Sequence, residues 1–370
     1  MQLLVFAHTP PPLHGQSVMV EAFLSGLAND PELRLFQVNP RLSRDASDIG
    51  RWRPGKVLAL LGACLHALQL RWRHGPMYFY HVPAPAKRAA LYRDWLTLLI
   101  CRPFFLGVIS HWHAAGLGAW LENEATGFER AVSRWLLGRA TLAIVLGEAL
   151  RADVTILEPR RVAVVRNGIA DPCPDFQPSV RNPAKPLHAL FVGLCIPEKG
   201  LFDALAGVAQ ASRERSRDGA PGVRLSVAGS FPSPTAEATF MAAAKAADVP
   251  VNFLGFVAGD AKRSLLSSAE VLLFPTKYPH ETQGLVVAEA LAYDLPVIAT
   301  RWRAVAETLP TPDEGAFVVE PNRPDQIASA LVQFARADQP AGRRRQFFLS
   351  HLTLDRHLAA LRAALLAIAP

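Results

Sequence analysis

Residues 271–300 read VLLFPTKYPHETQGLVVAEALAYDLPVIAT. An apolar run from Val271 to Phe274 stops at Pro275, and a polar loop carrying Lys277, Tyr278, His280 and Glu281 follows. From Gly284 the text turns helical, stops near Asp294 and Pro296, and gives way to a second apolar run, Val297 to Thr300. Strand, loop, helix and strand in that order are the unit of a parallel sheet. The loop falls at the carboxyl end of a strand and opens a helix. Anionic ligands bind at such places because free backbone N–H groups and the helix dipole point at them.

Two carboxylates frame the helix start, Glu281 and Glu289, with seven residues between them. Glu281 falls in the loop and Glu289 about a turn and a half into the helix. An acid before a helix favours its positive end, and an acid on a helix is most often a solvated face. Glu289, however, is embedded in LVVAEALA, an almost wholly apolar segment. A carboxylate there is costly without a partner, and a ligand hydroxyl is one such partner.

The stretch resembles the E-x7-E segment of the retaining family 4 glycosyltransferases, and this chain reads FPT…ETQG-LVVAEALA-YDLPVIAT across it. The resemblance implies an α/β chain with the GT-B fold, two Rossmann-like domains facing a central cleft. It implies that Glu281 faces the donor sugar and phosphates, within a loop of Thr282, Gln283 and Gly284, and that Glu289 binds the nucleotide ribose. Thr282 and Asp294 stand where the family usually has glycine, which bears on loop geometry. Upstream, LFVGLCIPEKG at 190–200 resembles the family's glycine–arginine…lysine–glycine segment, whose two cations neutralise the diphosphate. Lys199 matches the lysine; Leu194 stands at the arginine, leaving Lys199 with helix dipoles, or a substitute such as Lys277. The segment VNFLGFV at 251–257 resembles the stretch whose backbone faces the nucleobase, with Phe256 and Val257 as candidates.

Nearer the start, QLLVFAH is a strand, TPPPLHGQS a rigid loop, and Val20, Phe23, Leu24 and Leu27 recur at helical spacing. This is not the G-x-G-x-x-G dinucleotide fingerprint. In the family such a loop closes over the donor phosphates, which implies close backbone approach at Gly15 and hydrogen bonds from Gln16. A strand over 104–110 runs into His111, Trp112 and His113, then Ala-Ala-Gly. The resemblance puts one histidine there against the donor sugar, and either His111 or His113 fits. His-x-His spacing also suits a metal, but no Cys or acidic partner stands at ligand spacing. The family uses a nucleoside-diphosphate sugar as donor substrate, with no cofactor and no metal for catalysis.

The remaining pattern reads as helices over 56–70, 117–139, 148–157, 265–270 and 324–335, and strands at 35–38, 77–81, 140–145 and 162–165. An Asn-Gly turn at 167–168 resembles the family's crossover. The domains expected are 1–170, acceptor-binding; a Pro-rich linker, 171–186; 187–350, nucleotide-sugar-binding; and a helix in 351–370 crossing back to the first domain.

At 370 residues, half hydrophobic and 19% charged, the chain is globular and long enough for two α/β domains. No apolar run reaches the roughly 18 residues of a spanning helix. MQLLVFAHT lacks a basic n-region and reads as a first strand. Four cysteines, Cys64, Cys101, Cys173 and Cys195, show no metal or disulfide spacing, which fits a reducing cytoplasm. The net charge of +7 lies wholly in the first half: residues 1–170 hold 19 Lys/Arg against 12 Asp/Glu, the rest 20 against 20. Two RWR clusters, at 51–53 and 71–73, bracket the apolar helix at 56–70. Together these suggest an anionic membrane face or a lipid-linked or glycan acceptor. No nucleic-acid motif accompanies the charge. The expected protein is a cytoplasmic retaining hexosyltransferase, peripheral at the inner face of a membrane and serving bacterial polysaccharide or lipopolysaccharide assembly. The alternatives are a non-catalytic GT-B protein that binds nucleotide sugar or docks at a membrane, or a sugar-nucleotide epimerase.

Overall fold

The computed structural model describes residues 1–11, 14–40, 54–177, 182–336 and 341–369. The basic segment 41–53 with the first RWR cluster, Pro12 and Leu13 of the first loop, and 178–181 of the Pro-rich run lie outside the described residues. Two compact units are formed: Met1–Asn167 with Leu354–Pro370, and Gly168–Thr353.

In chain order the first unit runs β1 (Gln2–Phe6), α1 (Gly15–Gly26), β2 (Arg34–Val38), α2 (Pro54–His74), β3 (Tyr78–His81) and α3 (Arg88–Cys101). It continues with β4 (Val108–His111), α4 (Leu117–Asn123), α5 (Gly127–Leu136), β5 (Leu142–Val145), α6 (Arg151–Thr155) and β6 (Val162–Val164). The second unit holds β7 (Leu187–Val192), α7 (Leu201–Arg217), β8 (Val223–Ala228), α8 (Pro234–Ala246), β9 (Val251–Phe253) and α9 (Gly259–Ser268). There follow β10 (Val271–Phe274), α10 (Leu285–Ala292), β11 (Val297–Thr300), β12 (Ala316–Val319), α11 (Pro324–Arg336) and α12 (Arg343–His351); α13 (Leu354–Leu366) belongs to the first unit.

Each unit is built on a six-stranded parallel sheet, ordered β2-β1-β3-β4-β5-β6 in the first and β12-β11-β10-β7-β8-β9 in the second. Central strands such as β3, β4, β5, β10 and β11 are buried along their whole length. That is why β5 and β10 read as unbroken apolar runs, the signature of a sheet covered on both faces. Right-handed crossovers put α1 on one face of the first sheet and α2, α3 and α5 on the other. The α1 face is closed by α13, whose Leu358, Leu361 and Leu365 join Val20 and Phe23 in one core.

Several boundaries differ from the sequence reading. The helix expected over 117–139 is two, because Thr126 caps α5 through its own side chain and Glu129 returns the bond. The strand expected from 104 begins only at Val108, after a 3₁₀ turn at Arg102–Phe104. The strand expected over 251–257 ends at Phe253, since Gly255 takes φ +66°. Helix 148–157 opens as a 3₁₀ turn and is helical over Arg151–Thr155, and the 265–270 helix starts at Gly259.

Asp294, where the resembled family has glycine, keeps a glycine-like conformation at φ +55°. Its carboxylate accepts from the Gly342 and Arg345 amides, at 2.6 and 3.1 Å, and lies 3.2 Å from the Arg344 guanidinium. The side chain therefore offsets backbone strain by docking α12. The basic run 343–345 is thus largely structural: Arg344 and Arg345 are buried, and Arg345 grips Asp171. Asp294→Asn keeps a residue tolerant of positive φ but removes the charge facing Arg344. Its expected cost is about 2–3 kcal/mol in a urea titration; a loss below about 0.5 kcal/mol would show that α12 docks without the ion pair.

Candidate functional site

The carboxyl ends of β7 and β10, adjacent in the second sheet, each lead into a loop. After β7, a 3₁₀ turn at Pro197–Lys199 ends at Gly200, which has φ +77° and starts α7. A Cβ on Gly200 would stand 2.0 Å from the Pro275 carbonyl oxygen, so only glycine allows the two loops to press together. The Lys277 amide then donates to the Glu198 carbonyl at 2.8 Å, tying one loop to the other.

This packing delivers Lys199 Nζ to 2.5 Å from Glu281 Oε2, with both side chains mostly buried. Thr276 Oγ1 donates to the same oxygen at 3.3 Å, and the ammonium stands 4.8 Å over the Tyr278 ring. The β10 loop is braced from behind: Trp302 Nε1 donates to the Tyr278 carbonyl at 2.8 Å and the Ala304 amide to the Thr282 carbonyl at 3.2 Å. Thr282 and Gln283 are buried, so a ligand at this loop meets main chain there more than side chain. Gly284, at φ +76° with its α-carbon packed on the Phe274 ring, precedes α10. The helix start has no side-chain cap and no acid in its first turn, which leaves its N–H donors and positive end for an anion.

Glu289 does have a protein partner. Lys262, near the start of α9, places Nζ 2.5 Å from Glu289 Oε2, close enough for an ion pair though not aligned for a hydrogen bond. The partner that this carboxylate was expected to need is thus supplied within the protein. Leu194, at the arginine's place in the sequence, is 53% exposed. The ammonium of Lys277, the other candidate cation, is held by Asp203 at 3.0 Å and by Asn322. Phe256 is exposed and Val257 half-buried in the loop after β9, whose Gly255 carbonyl accepts from Gly229 at 2.8 Å.

In the first unit, Gly15 and Gln16 form the first turn of α1, capped by His14 through a reciprocal bond with Ser17. His111 ends β4 and its Nδ1 shares a hydrogen bond with the Tyr80 hydroxyl. Its ring centre is 4.1 Å from that of His113 and 6.4 Å from that of His357, on α13. His357 Nδ1 donates to the Arg166 carbonyl at 2.8 Å. The Nε2 atoms of His111 and His357 are buried without a hydrogen-bond partner among the described residues. Burial first, then the neighbouring imidazoles, holds His111 well below the ordinary histidine value and His113 at about 3. The cluster is therefore neutral near pH 7. The same cause lowers His357.

Sequence reasoning missed Lys262, His14 and His357. For His357 a signal existed, since it shares the i, i+4, i+8 face of Leu361 and Leu365 and so had to be buried. For Lys262 there was none. Among the described residues, no three His, Cys, Asp or Glu side chains are grouped to hold a metal ion, and no helix is long and apolar enough to cross a membrane.

Residues 186–337 match the family described as glycosyl transferases group 1. A GDP-mannose-dependent alpha-(1-6)-phosphatidylinositol dimannoside mannosyltransferase of Mycobacterium tuberculosis (strain ATCC 25177 / H37Ra) is 42% identical over 88 residues, 24% of this chain. That match spans only 22% of the relative's own length. Among solved structures, sucrose-phosphate synthase from Thermosynechococcus elongatus gives a TM-score of 0.70 at 17% identity, over 99% of this chain and 98% of that one. Anabaena HepE in complex with UDP gives 0.67 at 14% identity, over 99% and 100%. At such identities the likeness is of fold, and the fold is GT-B.

The buried imidazoles make stability depend on pH. The unfolded chain protonates them near 6.5, whereas the folded chain keeps His113 neutral down to about 3. Their contribution is complete above 6.5 and is lost as pH falls toward 3. Replacing His113 with Asn is expected to flatten the slope of unfolding free energy between pH 6 and 4 by about 1.4 kcal/mol per pH unit, read from denaturant titrations. An unchanged slope would mean that the imidazole protonates freely in the folded state.

Proposed function

We propose that this chain, which carries a glycosyl transferases group 1 domain in residues 186–337, is a retaining glycosyltransferase. It moves a sugar from a nucleoside-diphosphate donor to an acceptor hydroxyl carried by a glycan or a membrane-anchored lipid. The observation that supports this most is the grouping at the carboxyl ends of β7 and β10: Lys199, Glu281 and the uncapped start of α10, with Glu289 one and a half turns on.

Departure of the diphosphate builds negative charge on its bridging oxygen. Lys199 and the α10 amides meet that charge from fixed positions, so little reorganisation is needed during the step. Glu281 holds the ammonium in place before donor arrives, and the phosphates then compete for it. Glu289 takes the ribose hydroxyls, and Lys262 holds its carboxylate in position. With no arginine at Leu194, the diphosphate depends more heavily on Lys199 than a two-cation site would. Retention follows from attack on the face the diphosphate leaves: the acceptor oxygen bonds to the anomeric carbon, the carbon–phosphate oxygen bond breaks, and the hydroxyl proton passes to the departing phosphate. This route needs no protein nucleophile. A lipid-linked acceptor would place the protein at the inner face of a membrane, in the assembly of a surface glycan. The non-catalytic reading rests on the departures at Leu194 and Thr282, and turnover separates the two.

The test is incubation with UDP- and GDP-sugars and glycan or lipid-linked acceptors, following free nucleoside diphosphate and the anomeric configuration of the product. Product with the donor's configuration is expected; inversion, or nucleotide binding without transfer to any acceptor, would overturn the assignment. Lys199→Ala is expected to lower kcat by about 100-fold. Glu289→Ala is expected to raise donor KM by about tenfold with a smaller change in kcat. For the first unit, His113→Ala is expected to lower kcat at least about tenfold; if His111→Ala does so instead, the donor-facing histidine is His111.

A further inference from the structure

We propose that the outer face of the α2, α3 and α5 layer docks on a bilayer bearing anionic lipid. Ten of the fifteen exposed large hydrophobic side chains among the described residues fall between Val57 and Trp135. They are not scattered. On α2, positions 58, 62, 65, 69 and 72 share one face at helical spacing, and that face is exposed throughout. A solvated helix face is normally polar, yet this one carries Leu58 at 71%, Leu65 at 66% and Trp72 at 70% exposure. The buried positions, Leu60, Cys64 and Ala67, lie on the opposite side, toward the sheet.

The neighbouring helices repeat the arrangement. α3 exposes Tyr92 and Leu99 at i and i+7, and α5 exposes Phe128 at 73% and Trp135 at 66%, again at i and i+7. α3 packs on both α2 and α5. The stripes are joined: Trp72 meets Phe104 edge to face at 6.3 Å, and Trp95 meets Phe128 likewise at 6.1 Å. Arg71 Nε donates to the Phe104 carbonyl at 2.8 Å, and Arg102 donates to the Trp135 and Leu136 carbonyls. Crossover handedness already places these three helices on the same face of the sheet. The result is a clustering of apolar side chains on three adjoining helices, more than singly scattered exposed residues account for.

Charge identifies the occupant. From Lys56 to Arg102 there are seven Lys and Arg and a single acid, Asp94. Asp94 is buried, bound to the Ala84 amide at 2.6 Å and paired with Arg93, so it does not reach the surface. Arg88 is paired with Glu129. Arg71 and Arg102 spend their hydrogen bonds on neutral carbonyls, and Arg73 and Lys87 have no carboxylate partner among the described residues. Cations around exposed Trp, Phe and Leu suit a lipid interface: rings and leucines enter the boundary of the acyl chains while guanidinium groups stay among phosphates. Leu58, Leu65 and Leu99 favour a bilayer over a nucleic acid, since leucine neither stacks on bases nor hydrogen-bonds to them. The inference deepens the proposed transfer to a membrane-carried acceptor. It rests on that reading for its purpose, not for its observations.

The experiment is co-sedimentation of the full chain with phosphatidylcholine vesicles, with and without roughly one-third phosphatidylglycerol. Wild type is expected to sediment with the mixed vesicles and not with the neutral ones, and to be released by salt. Trp72→Ser with Trp135→Ser is expected to weaken binding at least about tenfold. Both side chains are solvent-exposed, and the thermal shift with nucleoside diphosphate should survive in this variant. Arg73→Glu with Lys87→Glu is expected to abolish the preference for anionic vesicles. No sedimentation of wild type, or sedimentation indifferent to these substitutions, would overturn the proposal. So would a concentration-dependent dimer that the tryptophan variant loses, which would make a second copy the occupant, or binding to an RNA oligomer in place of vesicles. Vesicle binding without sugar transfer would leave the docking face standing and contradict only the proposed reaction.

Discussion

The ion pair between Lys199 and Glu281 is the contact on which the two loops after β7 and β10 depend. Its partners come from loops more than 80 residues apart in sequence, brought together because β7 and β10 are neighbours in the sheet. The pair is mostly buried, where two charges gain strong mutual attraction but lose hydration, so such a contact is a poor investment for stability alone. Its geometry is fixed by the left-handed Gly200, by the close approach to the Pro275 carbonyl that only glycine allows, and by the bonds from Trp302 and Ala304 that stiffen the loop. A buried ion pair held by so many fixed contacts is the kind of arrangement that the proposed ligand site needs.

The other carboxylate is treated similarly. Glu289 lies in an apolar helix and is balanced by Lys262. The second unit thus presents two lysine–carboxylate pairs near the start of α10, each able to exchange a protein partner for a ligand group. On the proposed reading, with no arginine at 194, the charge of a diphosphate falls on Lys199 and the helix amides. The first unit uses a different device. Its histidines are kept neutral by burial and by one another, so they offer hydrogen bonds without charge.

Much of this was legible in the sequence. Fully buried parallel strands leave continuous apolar runs bounded by Pro or Gly, so β10, α10 and β11 stand out, and with them Glu281 and Glu289. Lys199 stands out through its Lys-Gly neighbour and the resemblance of its segment, and the structure pairs it with Glu281. What stayed hidden depends on pairings between distant residues. Lys262 meets Glu289 only because α9 packs beside α10, and nothing in GDAKRSLLSS records that. The structural role of Arg344 and Arg345 was concealed in the same way, because Asp294 is 50 residues away and a basic triplet ordinarily reads as solvated. The apolar face of the first unit was half visible: the RWR cluster at 71–73 announced Trp72, but Phe128 and Trp135 join it only once α3 lies between α2 and α5.

Thermal unfolding of the purified protein against UDP, GDP, ADP and CMP, with and without chelator, tests the nucleotide site most directly, because a ligand that binds only the folded state raises the midpoint by mass action. A shift with one nucleoside diphosphate, larger than with CMP and lost in Lys199→Ala, is the result expected of a site built on the Lys199–Glu281 pair. No shift with any of them, or a shift that Lys199→Ala leaves intact, would contradict it and mark Leu194 as the trace of a lost phosphate site.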